Sequence, residues 1–211
     1  HGPLAMTAVD GAGPGSPEDR YVLGCNRGAA GCVLAYGEDA TSRVVIVPLH
    51  LSPLAEIPLP GATRPTVASA SALALLAWEV RPFARIEACS LGLTSTFVLC
   101  LPRVIEPEST AGEQFSHPAI ACGSAGCAAA YSRYDGLEVE LVVRAVSLDA
   151  RTIGPRLRVA VVPTIGTFVH AAIAPFDGGF LVAWTRTDSG DRRVFAAALG
   201  PSTGALSLRT S

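Results

Sequence analysis

A short apolar phrase ending in alanine plus a large aromatic occurs four times in this chain. It reads Cys32-Val33-Leu34-Ala35-Tyr36, Ala74-Leu75-Leu76-Ala77-Trp78, Cys127-Ala128-Ala129-Ala130-Tyr131 and Phe180-Leu181-Val182-Ala183-Trp184. The aromatics stand 42, 53 and 53 residues apart (78 − 36, 131 − 78, 184 − 131). Recurrence at such a spacing marks a repeat architecture, in which each unit cannot bury its apolar faces alone and must be covered by its neighbours. A chain of 211 residues then accommodates one large domain made of four units.

Aligned on their aromatics, the four units show the same order of strands. A first strand is expected over Tyr21 to Cys25, Pro65 to Ala70, Pro118 to Cys122 and Phe168 to Ile173. The apolar phrase follows as a second strand, without polar alternation, as expected where both faces are buried. Polar turns come next, over Gly37 to Ser42, Glu79 to Pro82, Ser132 to Gly136 and Thr185 to Asp191. Third strands are expected over Arg43 to Leu51, Phe83 to Leu91, Leu137 to Leu148 and Arg192 to Leu199, and fourth strands over Leu54 to Leu59, Thr96 to Leu101, Arg156 to Val161 and Ala205 to Thr210. With 21 glycines and 16 prolines spread through the units, and no window of clean 3.6-residue periodicity, helices are nearly excluded.

Four-stranded antiparallel meanders packed radially make a β-propeller, so the expected fold is all-β and four-bladed, with a β-sandwich of the same hairpins as the alternative. The expected organisation is a tag remnant and linker over residues 1–20, beginning His1-Gly2-Pro3, then a propeller domain over 21–211 with repeats at about 21–64, 65–116, 117–166 and 167–211. The run Phe176-Asp177-Gly178-Gly179-Phe180-Leu181-Val182-Ala183-Trp184, followed by a polar turn and Val194-Phe195-Ala196-Ala197-Ala198-Leu199, resembles the blade repeat of large secreted bacterial β-propeller proteins. The Cys-x4-Cys of Cys122 to Cys127 stands where other copies have the Gly-Gly-Phe hairpin. The resemblance covers residues 21–211 and departs most in the second unit, where Ser69 and Ala74 hold the cysteine positions. It implies a fold and an extracytoplasmic setting, and no reaction.

Six cysteines fall into local pairs, Cys25 with Cys32, Cys89 with Cys100 and Cys122 with Cys127. Two of the pairs flank glycine-containing turns where hairpin partners face one another, so disulfides are favoured over six buried thiols, and they place the chain outside the cytosol: secreted, at a cell surface or periplasmic. Zinc is the weaker rival, since only His117 lies near a pair.

The composition narrows function by exclusion. A net charge of −2 with singly scattered arginines lacks the basic footprint that phosphate neutralisation needs, so no nucleic-acid partner is expected. No apolar run approaches the roughly 20 residues of a membrane span. No cofactor or metal is expected: Tyr134-Asp135-Gly136 and Phe176-Asp177-Gly178 lack the alternating acids of a calcium loop.

The first reading is a binding or interaction module that recognises a protein or glycan through rim turns carrying Glu38, Asp39, Glu79, Arg81, Arg133, Tyr134, Asp135, Arg186, Asp188 and Asp191. The alternative is a structural spacer of a larger surface protein. A propeller glycosidase ranks third, because the inner strands carry no pair of acids and glycoside hydrolysis needs two, about 5 to 9 Å apart. No catalytic residue is assigned; among the histidines only His170, on the last inner strand, merits inspection as an acid or base. The recurrent aromatics read as packing between sheets rather than as a sugar-stacking platform. If four units are an incomplete ring, two copies would associate.

Overall fold

A computed structural model describes residues 20–25, 32–38, 43–48, 57, 59–70, 72–80, 85–93, 100–107, 112–124, 126–162, 170–188, 191–202 and 205–209. They form four separate four-stranded sheets, each a meander of consecutive strands. The first holds β1 (Arg20–Cys25), β2 (Cys32–Glu38), β3 (Arg43–Pro48) and β4 (Leu59–Pro60). The second holds β5 (Ala62–Ala70), β6 (Leu73–Val80), β7 (Arg85–Gly92) and β8 (Arg103–Glu106). The third holds β9 (Gln114–Gly123), β10 (Gly126–Tyr134), β11 (Val139–Val146) and β12 (Leu157–Val162). The fourth holds β13 (Ala171–Phe176), β14 (Gly179–Asp188), β15 (Asp191–Ser202) and β16 (Ala205–Leu208). All pairings are antiparallel. The first strands stand side by side, β1 against β5, β5 against β9 and β9 against β13.

The turn chemistry explains several of these hairpins. Between β13 and β14 the two-residue turn Asp177-Gly178 has φ of 45° and 69°, the left-handed pair that suits the twist of a tight hairpin. Cys122 and Cys127 lie opposite each other in the β9–β10 register and are bridged across a Cα separation of 4.0 Å. Cys89 and Cys100 are bridged at 5.3 Å. Cys25 opposes Cys32 in the β1–β2 register, and the Cys25 side chain lies outside the described residues.

Several strand limits differ from the sequence reading, for identifiable reasons. In the second sheet the fourth strand is Arg103–Glu106; of the expected Thr96 to Leu101, residues 96–99 lie outside the described residues, and Cys100 and Leu101 precede the strand. The bridge holds Cys100 near β7, and the strand begins only after Pro102, which has no N–H for the ladder. β5 and β9 begin upstream of Pro65 and Pro118, where the sequence reading opened them. The chain passes each proline by a register shift rather than by ending the strand. β14 and β15 run through Asp188 and from Asp191, which shortens the expected Thr185–Asp191 turn.

A single packing rule joins the sheets. At the three interfaces between consecutive sheets the alanine of the recurrent phrase points to the following sheet and the aromatic of the next phrase points back to it, because successive residues of a strand face opposite ways. Val33 and Ala35 of the first sheet thus cluster with Leu76 and Trp78 of the second. Leu75 and Ala77 of the second cluster with Phe115 and Tyr131 of the third. Ala128 and Ala130 of the third cluster with Phe180, Val182 and Trp184 of the fourth. Trp78 and Tyr131 are fully buried, which bears out packing as their role. Each such ring removes about 150–250 Å² from water, so the apolar term per interface is several kcal/mol at roughly 25 cal/mol/Å².

Candidate functional site

The four first strands border a cavity of about 330 Å³. Val22 of β1, Pro65 and Thr66 of β5, His117 to Ile120 of β9, and His170 to Ile173 at the start of β13 line it. Most of the wall is alanine, valine, isoleucine and proline, and the polar side chains on it are Thr66, His117 and His170. No carboxylate lines the cavity among the described residues.

His117 reaches this position by a backbone irregularity that the second sheet repeats at Arg64. In the second sheet Thr66 pairs with Ala77 and Thr63 with Glu79, so that Arg64 and Pro65 together face Trp78. In the third, Ala119 pairs with Ala130 and Ser116 with Ser132, so that His117 and Pro118 together face Tyr131. Two residues opposing one define a bulge, a device that re-aims side chains at sheet edges and sites. Arg64 and His117 adopt left-handed φ of 51° and 56°. For a side chain larger than glycine this costs about 1 kcal/mol or more and persists only where the surroundings enforce it. The positions 64, 117 and 170 are 53 residues apart in turn (117 − 64, 170 − 117). The rings of His117 and His170 meet edge-on with centroids 4.0 Å apart, one contributed by each of two adjacent sheets.

Behind the bulges lies a buried polar cluster. The Glu79 carboxylate accepts hydrogen bonds from Ser116 Oγ at 2.5 Å, from Arg64 Nη1 at 3.2 Å and from the His117 amide at 3.4 Å. Arg64 Nη1 also donates to Ser116 Oγ at 3.2 Å. The cluster spans β5, β6 and β9 and fixes both bulges against each other, so Glu79 is a positioning residue for His117. The expectation that Glu79 lies in an open rim turn is thereby corrected. It is 4% exposed, because β6 continues to Val80 and its side chain is drawn in by Arg64 and Ser116.

The other rim residues divide. Arg133 donates to Glu140 at 2.6 Å and to Glu113. Burial lowers the affinity of the Arg133 guanidinium for its proton, and the hydrogen bonds that it donates to Glu113 and Glu140 more than reverse this, so it stays charged throughout. Asp135 accepts from the amides of Leu137 and Glu138, each at 3.0 Å, and those two bonds hold its carboxyl below the ordinary range. Tyr134 donates to the Gly136 carbonyl at 3.0 Å. These three residues therefore build the β10–β11 turn as much as they display it. Glu38 closes β2, while Arg186, Asp188 and Asp191 flank the β14–β15 turn, with side chains outside the described ones. Asp39 and Arg81 also lie outside the described residues. Sequence reasoning singled out His170 but missed Arg64, Ser116 and His117 as a set. The signal was present in the paired Arg64-Pro65 and His117-Pro118, at the interval that recurs at His170.

No protein-family model matches the chain, and no curated protein does. Among solved structures it is similar to an exo-β-1,3-galactanase from Phanerochaete chrysosporium with galactose, at TM-score 0.54 and 13% identity over 92% of this chain and 49% of that one. It is also similar to an α-L-arabinofuranosidase from Podospora anserina in complex with cellotriose, at TM-score 0.53 and 15% identity over 96% of this chain and 71% of that one. The chain thus spans about half the length of the first. Both are propeller folds, and the likeness establishes a propeller-like arrangement of sheets.

Proposed function

We propose that this propeller-like chain is an extracytoplasmic binding module that takes a glycan at the mouth of its axial cavity. The observation that carries the reading is the placement of His117 and His170 by adjacent sheets on one cavity of about 330 Å³, a volume suited to a small ligand. Its apolar wall offers area to sugar ring faces, while the imidazoles and the Thr66 hydroxyl offer hydrogen bonds that orient hydroxyl groups. The galactose and cellotriose held by the two solved propellers make sugars the first ligands to try. The bridged cysteines support an oxidising compartment.

Hydrolysis fits the cavity less well. Two carboxyl groups about 5 to 9 Å apart are needed, and Glu79, which touches the cavity wall through the His117 amide, is already engaged by Arg64 and Ser116. A glycan array followed by titration calorimetry tests the reading. His117→Asn, which tolerates the left-handed backbone, and His170→Ala are each expected to weaken the captured glycan at least tenfold. No glycan captured, or unchanged affinity in both variants, counts against it. Turnover in a hydrolase panel that survives neither variant would favour the enzyme instead.

A further inference from the structure

We propose that this chain associates with a second copy of itself head to tail, the first sheet of one copy packing on the fourth sheet of the other. Three internal interfaces follow one rule: the alanine-bearing face of a sheet is covered by the aromatic-bearing face of the next. Applied once more, the rule leaves two faces unmatched. The far face of the fourth sheet carries Ala172, Ala183 and Ala196 in one cross-strand row, the row equivalent to Ala119, Ala130 and Val143, which the fourth sheet covers on the third. It is open: Val194 is 74% exposed and Phe176 51% exposed on that face. The far face of the first sheet carries Leu23, 59% exposed, opposite Leu34.

The second and third sheets are covered on both faces, and the exposed apolar side chains on the outer faces of the first and fourth mark an interaction site. Its occupant is specified by the three interfaces already in the molecule, which are heterologous, joining unlike faces. A second copy supplies both missing faces, its first sheet for one contact and its fourth for the other. Two identical contacts then close a two-fold ring of eight sheets, within the four to eight that propellers use. The contact is between sheet faces, rather than between the exposed strand edges that incompleteness alone would suggest.

Light scattering and sedimentation on the purified chain test this. The expected mass is twice 21.7 kDa at micromolar concentration. Ala196→Glu and Leu23→Arg, both at exposed positions, are each expected to give monomers with an unchanged far-ultraviolet spectrum. An equimolar mixture of the two variants is expected to regain dimers, because the fourth sheet of Leu23→Arg and the first sheet of Ala196→Glu remain intact. A wild-type monomer overturns the proposal and leaves the faces for a sheet of another polypeptide. Variants that keep the dimer mass, or a mixture that stays monomeric, overturn it equally.

Discussion

At the scale of single residues, Glu106 is fully buried between the second and third sheets. It accepts hydrogen bonds from Arg156 at 2.6 and 2.9 Å, from Arg144 at 2.9 Å and from the Tyr131 hydroxyl. Burial pushes its carboxyl up, but the bond from Arg156, the bond from Tyr131 and the charges of Arg156 and Arg144 together hold it below the ordinary carboxylate range. Burial and the neighbouring Glu106 raise the Tyr131 phenol well above its usual value, so it remains a donor. A carboxylate whose folded pKa lies below its unfolded one contributes stability that is fully present above the unfolded value, near 4.3, and is lost as pH falls through the folded value. Stability is therefore expected to be flat near neutrality and to fall on acidification below about pH 4.5. Removing one member of a buried ion cluster costs about 3–5 kcal/mol; because Arg156 is 39% exposed and partly screened, about 3 kcal/mol is expected for Glu106→Gln at pH 7. Urea unfolding at pH 7 and pH 4 checks both statements: the variant is expected to lose part of the acid sensitivity of the parent.

At the scale of strands and sheets, the recurrent alanine has a measurable consequence. Ala130 is fully buried between the third and fourth sheets, in the cluster with Phe180 and Val182. Ala130→Leu inserts three carbons into a packed interface and is expected to cost about 2 kcal/mol, read as a lower urea midpoint with an unchanged slope. A neutral result would show that the sheets can separate to admit it. At this scale the sequence was legible where its signals were local. The four second strands, the hairpin at Asp177-Gly178 and the facing of Cys122 with Cys127 all follow from side-chain pattern and turn chemistry. The recurring Arg64-Pro65 and His117-Pro118 pairs marked equivalent positions but not their conformation, because proline reads as a strand boundary unless neighbouring strands hold the chain in register on both sides of it. Glu106, Arg144 and Arg156 were missed for a related reason. Each is an ordinary charged residue in its own segment, and only the approach of β8, β11 and the residue that leads into β12 makes them one cluster.

At the scale of the whole molecule, the proposed pairing of copies links stability to concentration. If the open faces of the first and fourth sheets cover each other between copies, folding is coupled to association, and the melting midpoint is expected to rise as protein concentration is raised. Melts followed over a hundredfold range of concentration check this, a constant midpoint being the contrary outcome. The sequence by itself determined that the chain builds four successive antiparallel sheets with a small and a large face each, because strand pairing within a meander depends on neighbouring segments and on alternation along a strand. Only the tertiary structure decided which side chains meet at the axis and which faces stay uncovered. Those outcomes depend on contacts between residues some fifty positions apart or more, as with Ser116 and Arg64, whose approach no local pattern encodes.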